Sequence, residues 1–128
     1  MNDKQLNLAY EAAADISAAQ YHIVRISDGD KQVNIGSLAT HSSMLGVLQN
    51  KPAAAGRNAT VCVDGPSKVV AGAAISSAGV FFTTNGSGRA VAATSGDMAC
   101  GRIIETAAAN GDVINVLVYK PFRLSGAI

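Results

Sequence analysis

The sequence predicts a mainly β fold: a small β-barrel or sandwich-like domain over residues 21–128, preceded by an N-terminal arm over residues 1–20. Two observations carry this. From Tyr21 onward, short alternating or wholly apolar runs are punctuated by Gly, Pro, Asn and Asp. Two Asn-Gly dipeptides, Asn85-Gly86 and Asn110-Gly111, stand where hairpin turns would.

The arm is read from contrast. Glu11 to Asp15 and Ala18 to Gln20 are good helix formers, yet no 3.6-residue apolar face develops. Leu6, Leu8 and Tyr10 alternate instead, as in an extended segment. The expectation is a segment ordered only where it docks, using Leu6, Leu8, Tyr10 and Ile16 to contact a partner. Tyr21 to Ile26 reads as a strand, ended by Ser27-Asp28-Gly29-Asp30, and Gln32 to Ile35 as a half-buried one. Met44 to Leu48 is a short buried run, Ala53 to Asn58 a loop, and Ala59 to Val63 a strand. Asp64-Gly65-Pro66-Ser67 reads as a turn, after which Lys68 to Ala71 resumes.

In the second half, Val80 to Thr84 and Ala90 to Ala93 flank the first Asn-Gly, which predicts a type I′ hairpin. The second Asn-Gly precedes Val113 to Tyr119, the strongest strand in the chain. Ile114, Val116 and Val118 fall on one face, Val113, Leu117 and Tyr119 on the other. A strand apolar on both faces is covered on both. The second cover is either a sandwich partner or a neighbouring subunit meeting Val113, Leu117 and Tyr119.

Composition narrows the function classes. Of 128 residues, 48% are hydrophobic and only 15% charged, against about 25% in an average soluble domain. So few charges leave surface that suits coverage by protein. The net charge is +1 and the ten basic residues are scattered, which argues against nucleic-acid binding. No window holds 18 consecutive apolar residues, so no membrane-spanning helix is expected. Met1 to Gln5 has neither the basic start nor the apolar core of a secretory signal, and Cys62 and Cys100 are expected to be buried free thiols.

No catalytic, cofactor or metal site emerges, and the expectation is a protein that is not an enzyme. Asp28-Gly29-Asp30 lacks the bidentate acid of a calcium loop, since position 39 is Ala. Gly86-Ser87-Gly88 lacks the third glycine and following helix of a dinucleotide loop. His22 and His41 have no sequence-adjacent nucleophile or acid. Two alternatives stay open: a small barrel that carries a prosthetic group or binds a ligand, which as a carrier would need a lysine at a hairpin tip where Asn85-Gly86 and Asn110-Gly111 stand instead, and a small hydrolase using either histidine.

The stretches Leu48-Gln49-Asn50-Lys51-Pro52-Ala53-Ala54-Ala55-Gly56 and Cys62-Val63-Asp64-Gly65-Pro66-Ser67-Lys68-Val69-Val70-Ala71-Gly72 resemble the capsid cement, or decoration, proteins of tailed bacteriophages. Asn85 to Ala90 and Gly101 to Asp112 agree, and the likeness spans roughly Asp15 to Tyr119. It departs at Ala78-Gly79-Val80, where an acidic residue would follow the glycine, and in the tail from Lys120. The resemblance implies a β-rich homotrimer, made in the host cytoplasm, that sits on the outer capsid surface and clamps adjacent major capsid proteins. It implies no catalytic residues and no cofactor.

Overall fold

The computed structural model describes residues 5–27, 29–37, 43–94 and 96–123. Nine strands occur among them: β1 Leu6–Ala12, β2 Ile23–Ile26, β3 Gln32–Ile35, β4 Met44–Leu48, β5 Asn58–Val70, β6 Phe81–Thr84, β7 Ala90–Ala92, β8 Met98–Ile103 and β9 Val113–Arg123. A 3-10 turn spans Ser17–Ala19. No described helix is long and apolar enough to cross a membrane.

The strands run in the order β1-β3-β2-β4-β5, and β1 pairs again with β5, so these five close into a barrel. From β5 the sheet continues through β9, β8, β6 and β7. The fold is therefore mainly β, a closed five-stranded barrel with a second sheet built from its longest strand.

β5 makes this possible. Its first half pairs with β1 and β4, its second half with β9. The changeover falls at Gly65, whose φ of +104° bends the strand without ending it. Asp64-Gly65-Pro66-Ser67, read from sequence as a turn, is thus the mid-strand bend of a 13-residue strand. The local signal for a change of direction was real, but pairing on both sides carried the strand through.

Two cores follow from the two layers. Val24, Val33, Leu48, Ala59 and Val61 fill the barrel with Ala12, Ile16 and Ala19. The opposite faces of the same strands present Ile23, Val47 and Cys62 to Phe82, Ile103, Ile114, Val116 and Val118 of the second sheet. Residues adjacent in sequence on β2, β4 and β5 therefore serve different cores, because strand side chains alternate. This explains the near-continuous apolar runs.

The N-terminal segment differs from its sequence reading. Leu6 to Glu11 pairs with Asp64 to Asn58 of β5, and Glu11 and Ala12 pair parallel with β3. Residues 6–12 close the barrel as a strand and are not a separate arm. Ala12, Ile16 and Ala19 are fully or almost fully buried. Ile16 lies inside the barrel core, so the expected partner contact through it does not fit this geometry.

The hairpin readings need smaller corrections. At the first Asn-Gly, the amide of Asn85 donates to the Arg89 carbonyl and that of Gly88 to the Asn85 carbonyl. Gly88, with φ +76°, takes the left-handed position, while Gly86 does not. This is a three-residue connection closed by a left-handed glycine, not a two-residue type I′ turn. At the second, Asp112 donates to the Ala109 carbonyl and only Gly111 has positive φ, +99°, which is the type II pattern.

Candidate docking face

β9 puts the sequence-predicted residues on one side of the second sheet. Ile114, Val116 and Val118 point into the core, while Val113, Leu117 and Tyr119 point away from it. Val113 is 51% exposed, and Leu117 and Tyr119 are half-buried. The predicted division of the strand into two faces is therefore present.

Two depressions lie along this face. An apolar groove of about 480 Å³ is lined by Leu6 and Leu8 of β1, Leu45 of β4, Val63 and Asp64 of β5, and Tyr119, Lys120 and Pro121 of β9. A more polar cleft of about 430 Å³ is lined in part by Gln5, Tyr21, Gln49, Lys68, Asn115 and Leu117. β5 and β9 contribute neighbouring stretches to both, and Gln5, just before β1, reaches the cleft. Leu6 and Leu8, assigned from sequence to one contact, thus share a groove with Tyr119, assigned to another. Tyr10 is half-buried against the barrel core, Ile16 is inside it, and Val113 lines neither depression.

The cleft is fixed by amide hydrogen bonds. Gln5 Nε2 donates to the Pro66 carbonyl at 2.7 Å, and Gln49 Nε2 donates to Ser67 Oγ at 2.9 Å. These tie the residue before β1 and the residue after β4 to the bend of β5. The groove wall is apolar because Leu6, Leu8, Leu45, Val63, Tyr119 and Pro121 line most of it.

Next along the sheet, Phe81 of β6, Arg102 of β8 and Leu117 of β9 form a cross-strand row. The Arg102 guanidinium carbon lies 4.7 Å from the Phe81 ring centroid, and Phe81 meets Phe122 edge-on at 5.2 Å. Arg102 Nε is buried, and among the described residues it has no hydrogen-bond partner. Sequence reading passed over Arg102, because its setting depends on pairings between separate hairpins.

The groups weighed for chemistry occupy other settings. His22 Nε2 accepts from Arg89 Nε at 3.4 Å, so Nδ1 carries the proton towards the Gln20 carbonyl at 3.2 Å. Burial lowers its pKa, and the nearby Arg89 charge adds to the effect. Arg89 Nη1 also donates to Asn110 Oδ1 at 2.8 Å, joining the two Asn-Gly loops. Cys62 and Cys100 are free and buried, as expected, and burial raises both thiol pKa values. Lys31, exposed and at φ +56°, sits in the β2–β3 connection, a tip the sequence reading did not consider for a carrier lysine. His41 and Asp28 lie outside the described residues.

No protein-family model matches the chain, and no match is found among curated proteins. Among solved structures, the chain is similar to the N base of the head fiber protein gp8.5 in bacteriophage phi29. The two share 18% identity and superpose with a TM-score of 0.64 over 90% of this chain and 94% of that one, a likeness of fold.

Proposed function

We propose that this chain is a structural protein of a bacteriophage head, and more narrowly a decoration protein that sits on the outer capsid surface and clamps adjacent major capsid proteins. The observation that carries the reading is the shared fold with a phage head fiber base over nearly the whole of both chains. The sequence resemblance to cement proteins and the low charge content point the same way. The reading includes no catalysis and no cofactor.

In this account the protein acts as a homotrimer. Each subunit binds the shell weakly, and linkage makes the second and third contacts intramolecular, adding ~10²–10⁴ in avidity where the geometry fits. A ligand that binds the assembled shell and not its free subunits stabilises the shell by mass action. The test is co-sedimentation of purified protein with undecorated heads of the encoding phage, followed by heating. Saturable binding with a higher temperature of shell disruption is expected. Absence of binding at micromolar protein would overturn the proposal.

Lys31 keeps a carrier-module reading in view, since such a module needs an exposed lysine at a hairpin tip. Intact-mass measurement after co-expression with lipoyl and biotinyl ligases separates the two. The head-protein account expects an unmodified mass.

A further inference from the structure

One arginine ties three separate parts of the fold together. Arg89 stands just before β7 and closes the loop that begins at Asn85. Its Nε donates to Nε2 of His22, on the barrel side, and its Nη1 donates to Asn110 Oδ1, in the loop before β9. Within its own loop, Asn85 Oδ1 accepts from the amides of Ser87 and Arg89, so the loop holds its shape without outside help. The loop seats on the barrel at Gly88. The amide of Ile23 in β2 donates to the Gly88 carbonyl at 2.6 Å. A β-carbon on Gly88 would lie 2.6 Å from Ile35 Cγ2 and 3.5 Å from His22 Cβ, so loop and barrel touch closely there.

The tie depends on one proton. His22 Nδ1 donates to the Gln20 carbonyl, which leaves Nε2 of the neutral ring to accept from Arg89. A protonated ring donates at both nitrogens and accepts at neither. It would also set a second cation against the guanidinium, in a half-buried place where like charges repel more strongly than in water. No neighbour offsets that charge. The 3-10 turn and β4, which bond to the His22 backbone, carry no ionisable side chain, and neither does β3, whose Ile35 lines the same seat. The acid of the third part, Asp112, already accepts from the amides of Ala108 and Ala109. Among the described residues no carboxylate pairs with Arg89. Burial and then the Arg89 charge lower the pKa of His22, which agrees with a ring held neutral.

We infer that His22, Arg89 and Asn110 form a proton-operated clasp: with His22 neutral, Arg89 holds the Asn85–Arg89 loop on the barrel, and with His22 protonated, Arg89 lets go and the loop lifts from its seat. The opening is local. β6 and β7 stay paired, and Gly72 still donates to the Ala90 carbonyl. The hydrogen bond from Ile23 to Gly88 is the part of the seat that breaks, so the Ile23 amide reports the opening.

The test is amide hydrogen exchange of the full chain by NMR, read at Ile23 beside the amides of the core strands. Corrected for intrinsic rate, Ile23 protection should fall severalfold from about pH 7 to about pH 5. The opening exposes little surface, so this protection should barely respond to sub-denaturing urea. His22→Gln keeps an acceptor that does not titrate, and its Ile23 protection should stay level over the same range. Three results would overturn the inference: wild-type protection that is level with pH, an equal fall in His22→Gln, or a response to urea as steep as that of the core amides. Thermal melts identify a variant that fails to fold. Arg89→Met, which keeps the stem and removes the donors, then replaces His22→Gln. Its Ile23 amide should exchange severalfold faster than wild type already at about pH 7, and unchanged protection there contradicts the clasp.

Discussion

At the scale of single residues, backbone conformation and buried titratable groups give the sharpest expectations. Gly111 has φ +99°, and a β-carbon there would meet nothing within 4 Å. The cost of a side chain is therefore conformational and not steric crowding. Gly111→Val should destabilise the domain by about 1 kcal/mol or more, and Gly111→Asn by less, since Asn tolerates the left-handed region. Thermal melts of both variants check this, and equal melting temperatures would contradict it. His22 gives a pH dependence. Its folded pKa lies below the unfolded value of about 6.5, so the unfolded chain binds the proton first. Stability contributed by neutral His22 is therefore present above the unfolded pKa and declines as pH falls through it towards the folded value. Urea melts between pH 7 and 5 should show this decline in wild type and a flatter profile in His22→Gln. Cys100, fully buried with its thiol pKa raised, should resist alkylation in the native protein and react on unfolding.

At the scale of elements, the strands that read best from sequence were those whose pattern was decided locally. Gln32–Ile35 and Met44–Leu48 appear with the bounds their alternation and flanking turn residues suggested. The two faces of β9 were likewise legible, because alternation alone sorts Val116 from Leu117. What was not legible depended on distant pairing. Leu6, Leu8 and Tyr10 showed an extended rhythm, but nothing local shows that β5, some fifty residues on, would take that strand and close a barrel with it. Asp64 to Ser67 carries turn residues, and only pairing to β1 on one side and β9 on the other makes it a bend within a strand. The groove was half legible: its residues were named, but in separate groups. Arg102 and the Arg89–His22–Asn110 linkage were missed, because each joins side chains from different hairpins. One consequence reverses the arm reading. Deleting residues 1–14 removes β1 and opens the barrel, so the truncated protein should lose cooperative melting or melt ~10 °C or more lower, several kcal/mol being at stake. A truncation that melts like wild type would show that the barrel does not need its closing strand.

At the scale of the whole molecule, a five-stranded barrel shares β5 with a second sheet, and the strands β5 and β9 carry an apolar groove and a polar cleft. A protein with so few charges to solvate its surface suits a place among other subunits. In the function proposed above, that place is the outside of a phage head. The central claim is that it stands on the outside of a phage head. Electron cryomicroscopy of the intact virion that encodes this chain tests it most directly. The account predicts density on the outer shell into which the barrel and second sheet fit, in groups of three, with quantitative mass spectrometry of the same particles giving a matching copy number. Purified virions that lack the protein, or that hold it only inside the shell, would contradict the account.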